Sequence, residues 1–120
     1  MKRDWDLVRT ILLRVEAQPN TQSLLRPNEL EGFDAENVSY HIKLLIDAGL
    51  IEGLISKTLN APIYAMAREL TWQGHEFLDS IRNPGLWNAI KIKAREKAVD
   101  LTIDTIKALA KALLDELLGC

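Results

Sequence analysis

Cysteine is nearly absent from this chain of 120 residues: the single one, Cys120, is the last residue, so no disulfide can close within the chain. Such usage agrees with a reducing cytoplasm, the expected compartment. Histidine is equally scarce. His41, His75 and Cys120 supply fewer soft ligands than a structural zinc site needs. No GxSxG, Walker-type GK[ST] or GxGxxG occurs, and no spacing of carboxylates points to catalysis, so neither an enzyme nor a cofactor nor a small-molecule ligand is expected. Missing too are the ~18 uncharged apolar residues in a row that a membrane span takes. The opening Met1-Lys2-Arg3-Asp4-Trp5-Asp6 has no apolar run behind its basic residues, so no secretory signal is expected. Positive charge is not in excess: 15 Lys and Arg face 17 Asp and Glu, a formal charge of -2. Bulk charge therefore gives no affinity for nucleic acid, and any such binding must come from a local patch.

What is present is the composition of an ordinary globular domain, 48% hydrophobic and 27% charged. From Asp4 to Gln18, the residues Trp5, Val8, Leu12 and Val15 recur three and four apart, with Leu7 and Ile11 widening the stripe; this spacing predicts an amphipathic helix capped by Asp4 and ended before Pro19-Asn20. Thr21 to Phe33 has room for a short strand at Ser23 to Arg26 and one helical turn at Pro27 to Leu30. Asp34 caps a second helix with the stripe Val38, Ile42, Leu45 and Ile46, which Gly49 terminates. Leu50 to Ser56, a turn at Lys57 to Pro62, and Ile63 to Leu70 form a hairpin. Thr71 caps a helix from Trp72 to Arg82, in which Gly74 permits a close approach. Asn83-Pro84-Gly85 marks a break, so residues 1–82 are expected as one domain and 86–120 as a helical extension. That extension reads as helices Leu86 to Ala98 and Leu101 to Leu118, the second with Asp100 as its cap.

The expected fold class is α+β and mostly helical: helix, short strand, helix, hairpin, helix is the order of a winged helix, followed here by two C-terminal helices. Tyr40-His41-Ile42-Lys43-Leu44-Leu45-Ile46-Asp47-Ala48-Gly49-Leu50-Ile51 resembles the recognition helix and following turn of bacterial winged-helix repressors. The segments MKRDWDLVRTILLRVE, YHIKLLIDAGLIEG and LTWQGHEFLDSIRN together resemble a family of small bacterial and phage-associated proteins known only as a domain of unknown function. The resemblance covers Met1 to Asn83 and implies a fold, with no catalytic residues. One departure stands out. A full helix-turn-helix has a helix of two or more turns before the reader; Thr21 to Phe33 has room for it only by giving up the strand, and with Pro27 and Gly32 inside, that helix is expected to be one turn long or absent.

Two functions follow as expectations. In the first, the protein is a DNA-binding or transcription-associated accessory factor: Asn37, Ser39 and Tyr40 hydrogen-bond to double-stranded DNA, and Lys43, Lys57, Lys91 and Arg95 neutralise phosphate. In the second, the winged helix is a protein-interaction module without DNA binding. Charge divides them, because Met1 to Ile81 carries a net -4 and Arg82 to Lys97 a net +4. His41 and His75 are expected to be partly buried and satisfied by backbone, and Trp72 and Trp87 to pack in cores. Ile106, Leu109, Leu113 and Leu117 form a seam in the last helix, which must bury either against the helices at Asp4 to Gln18 and Leu86 to Ala98 of its own chain or against the same helix of a second copy; the homodimer is the favoured expectation.

Overall fold

The computed structural model describes residues 1–118; the reading of Cys120 lies outside the described residues. The order of elements is α1 (Trp5–Glu16), a single 3-10 turn (Pro27–Glu29), α2 (Ala35–Asp47), β1 (Ile51–Ser56), β2 (Tyr64–Leu70), α3 (Trp72–Ile81), α4 (Pro84–Glu96) and α5 (Ile103–Leu117). This is the expected α+β layout. The chain forms two compact units that divide inside α3, one of residues 1–75 and one from residue 76 onward.

In the first unit, α1 starts where Asp4 accepts hydrogen bonds from the amides of Asp6 and Leu7 at 3.0 and 3.2 Å. Leu7, Val8, Ile11, Leu12 and Val15 are buried, and the helix packs on α2 and β2. The strand expected at Ser23 to Arg26 is reduced to one bridge, in which Leu25 and Ala67 exchange both backbone hydrogen bonds at 2.7 and 3.0 Å. Asp34 caps α2 by accepting from the Asn37 amide at 3.0 Å. At the other end Gly49 takes φ +77, and the Leu50 amide reaches back to the Leu45 carbonyl at 3.0 Å. A side chain there would strain the left-handed turn that aims the chain into β1.

β1 and β2 pair antiparallel, from Ile51 with Leu70 to Ser56 with Tyr64, and the register slips between Glu52 and Gly53 so that Arg68 is the extra residue. Thr71 then ties two elements: its hydroxyl donates to the Gly49 carbonyl at 2.6 Å and accepts from the Gly74 amide at 3.0 Å. Gly74 lies against the Leu50 carbonyl, with no room for a Cβ. That contact sets which way α3 faces. Gly74, Phe77, Leu78 and Ile81 are buried along one side, and Trp72, on the opposite side, is 76% exposed. The expectation of a core tryptophan at position 72 is thereby corrected, as is that of a partly buried His75, which is exposed.

In the second unit, Asn83, Pro84 and Gly85 start a helix. Asn83 caps α4 by accepting from the Leu86 amide at 2.9 Å, and Pro84 occupies the first position, where its missing N–H costs nothing. The expected start at Leu86 moves back two residues accordingly. Trp87, Ile90 and Ala94 are buried, Trp87 as expected. The helix ends in a left-handed residue that is not glycine: Ala98 has φ +54, with the Val99 amide bonded to the Ala94 carbonyl at 3.0 Å. Thr102, not Asp100, caps α5, accepting from the Thr105 amide at 3.0 Å. The start of α4 and the end of α5 wall a common groove, so the two helices form an antiparallel pair.

Two substitutions with opposite signs test these constraints in urea denaturation. Gly74→Ala is expected to destabilise by about 2 kcal/mol, the clash with the Leu50 carbonyl outweighing the gain in helix propensity. Ala98→Gly is expected to stabilise by about 1 kcal/mol, by relieving the left-handed alanine.

Candidate interaction face

The face of α2 that points away from its buried stripe is built at helical spacing from Glu36, Tyr40, Lys43 and Asp47. Glu36 and Asp47 are exposed, while Tyr40 and Lys43 are half-buried. The Lys43 ammonium lies 2.6 Å from the Asp47 carboxylate, so the helix's one lysine is neutralised within its own helix. Asn37 lies beside this stripe, partly exposed, its amide engaged with the Asp34 cap. The face as a whole is acidic.

Ser39 is a correction. Expected on the outward face, it is 2% exposed, and its hydroxyl donates to the Ile63 carbonyl and accepts from the Ala65 amide, each at 2.7 Å. The two hydrogen bonds go to the residue just before β2 and to the second residue of the strand, where the outer edge would otherwise leave two backbone groups unsatisfied. His41, expected to be partly buried, is fully so, and its partners are backbone as expected. Nε2 accepts from the Asp4 amide at 2.8 Å, which places the ring proton on Nδ1, 2.9 Å from the Asn37 carbonyl. His41 thus joins the N-cap of α1 to the first turn of α2.

The remaining charged candidates fall elsewhere. Lys57 is exposed in the hairpin loop. Lys91 and Arg95 belong to the second unit: Lys91 is half-buried with its ammonium 5.4 Å from the centre of the Trp87 ring, and Arg95 is exposed on α4. Of the seam in α5, Ile106 is buried against its own chain together with Ala110, which removes it from any surface seam. Leu109 and Leu113 are half-buried, and Leu117 is exposed.

One feature beside the α2 face escaped the sequence. Pro27, Ala35, Glu36, Pro62, Ile63 and Tyr64 line a mainly apolar groove of about 400 Å³ between the 3-10 turn, the start of α2 and the entry to β2. Phe33, just before the cap of α2, is partly exposed as well. The signal was a pair of prolines distant in sequence, Pro27 and Pro62, which periodicity does not connect. No helix among the described residues is long and apolar enough to cross a membrane.

Residues 2–100 match the model of the family described as "Hypothetical protein (DUF2513)", and the chain belongs to that family. It is similar to an "Uncharacterized protein" of Haemophilus influenzae, with 48% identity over 119 residues, covering 99% of this chain and 100% of that relative. No solved structure matches the chain.

Two kinds of substitution distinguish buried scaffold from outward face. Ser39→Ala strands the Ala65 amide and the Ile63 carbonyl and is expected to cost about 2 kcal/mol in urea denaturation. Lys43→Ala removes only an ion pair within one helix, between a half-buried lysine and an exposed carboxylate, and is expected to cost about 0.5 kcal/mol or less.

Proposed function

We propose that the protein is a winged-helix interaction module that binds another protein through the outward face of α2 and the adjoining groove, with no catalytic step of its own. The acidity of that face carries the reading. Glu36 and Asp47 are exposed, Lys43 is paired with Asp47, and Ser39 is turned inward. Duplex DNA presents phosphate at close intervals along both strands, so approach of this face would place like charges together at a cost that the one neutralised lysine does not offset. The single 3-10 turn in place of the helix that crosses the DNA backbone supports the same reading. A protein segment that lays an apolar side chain between Pro27, Pro62 and Tyr64 and offers a cation to Glu36 fits both the shape and the charge.

A DNA-binding or transcription-associated role is the second reading, and the observation in its favour is α4. Lys93 and Arg95 follow Lys91 there, Lys97 comes directly after the helix, and Lys57 adds an exposed charge on the hairpin loop. These residues would act by neutralising phosphate, with no reading of sequence.

Fluorescence anisotropy with random duplex DNA across a salt series, paired with affinity capture by the full chain, tests the choice. The module predicts no DNA binding at low salt, and a captured protein that resists nuclease and is retained about tenfold less by Glu36→Lys. DNA binding that falls steeply with salt, and is weakened by Lys57→Ala, Lys91→Ala or Arg95→Ala, would overturn it.

A further inference from the structure

The far side of β1 is an open strand edge. Ala67 turns its N–H and C=O to Leu25, and Ala65 turns its N–H to the Ser39 hydroxyl. Directly opposed residues of an antiparallel pair either bond each other or both turn away, so the partners of these two, Gly53 and Ile55, direct their own N–H and C=O groups out of the hairpin. No hydrogen bond from another segment reaches Gly53 or Ile55 among the described residues. Two donors and two acceptors therefore stand along one edge, the residues that carry them about 7 Å apart. The devices that blunt such an edge are missing from β1: Ile51 to Ser56 contains neither proline nor lysine, and the extra residue of the bulge lies on β2. Side chains beside the edge add a pattern. Glu52 stands directly opposite Glu69, a like-charge pair, and neither carboxylate has an ion-pair or hydrogen-bond partner among the described residues. On the same face, two residues on, Leu54 is 45% exposed next to its partner, the half-buried Met66.

We propose that the edge of β1 is a strand-addition site for an extended segment of another protein, one that sets a basic residue beside Glu52 and an apolar residue beside Leu54. The backbone selects the conformation, because donors and acceptors at alternate strand residues are matched only by a second extended chain. Charge selects the composition. A lysine or arginine beside Glu52 offsets the repulsion between the two facing carboxylates, and an apolar side chain two residues away covers Leu54. A second copy of β1 would meet the backbone groups but bring no cation, since Ile51 to Ser56 has none. None of Glu52, Gly53, Leu54 and Ile55 belongs to the outward face of α2 or to its groove, so the two surfaces stand or fall separately.

Amide-resolved NMR of the full chain, titrated with the blocked peptide acetyl-Thr-Val-Leu-Val-Lys-amide, is the test. Laid antiparallel with its lysine opposite Glu52 and its leucine opposite Leu54, this peptide turns both valine amides toward β1. The Gly53 and Ile55 amides are expected to shift saturably and to slow in hydrogen exchange about tenfold, while those of Ala65 and Ala67, already bonded on the other side, hardly move. N-methylation of both valines is expected to abolish binding, and N-methylation of the leucine, whose amide points away, to leave it within about twofold. Glu52→Lys, at an exposed position, is expected to weaken binding about fivefold, with recovery when the peptide carries glutamate in place of lysine. No change at Gly53 and Ile55 with about millimolar peptide, or binding indifferent to valine N-methylation, overturns the proposal. Gly53 and Ile55 amides that shift with the concentration of the chain alone assign the edge to a second copy and overturn it as well. A charge exchange that restores nothing overturns the basic composition of the partner.

Discussion

The outer edge of β2 is the constraint on which the first unit depends. A strand presents backbone donors and acceptors on both sides, and a hairpin satisfies only one. The other side of β2 is closed piece by piece: Leu25 exchanges two hydrogen bonds with Ala67, the Ser39 hydroxyl bridges the Ile63 carbonyl and the Ala65 amide, and Gln18 donates to the carbonyl of the bulged Arg68 at 2.7 Å. Each closing group comes from a different segment, so α2, the loop before the 3-10 turn and the residues just after α1 are all tied to one strand. Side chains do here what a third strand does in a larger sheet.

That closure has a functional consequence. The hydroxyl on α2 best suited by type to contact a nucleic acid is held inside by the strand it completes, and the lysine that could have met phosphate is held by Asp47. What remains outward is a carboxylate-rimmed face beside an apolar groove. An order of elements familiar from DNA readers does not by itself fix the charge of the face it presents, because fold and surface charge are set by different residues. The division of charge along the chain follows the same logic, with an acidic first unit and positive charge gathered on α4.

The second unit faces a different constraint. Two antiparallel helices cannot surround each other, so an amphipathic arc half a turn wide stays partly uncovered. Trp87, Ile90, Ala94, Ile106 and Ala110 make a narrow buried seam, and the leucines at the end of α5 fall outside it. Their exposure follows from the small residues that face them on α4 as much as from their own positions.

Much was legible in the sequence wherever the cause is local. Asp4, Asp34 and Thr71 cap helices because their side chains reach amides two or three residues on, and Gly49 stops α2 because it alone takes a positive φ there without strain. The helical stripes of α1 and α2 and the hairpin followed from periodicity, and the close approach at Gly74 from the residue type alone, since glycine has no Cβ. Tertiary structure decided what depends on residues far apart in the chain. Ser39 turned inward because β2, more than twenty residues later, needed a donor and an acceptor at that spot. Trp72 turned outward because Gly74 pressed the other side of α3 onto Leu50, and Pro27 met Pro62 across a groove that no local pattern encodes. A sequence determines which backbone groups are satisfied nearby; only the folded chain determines which side chains must leave the surface to satisfy the rest.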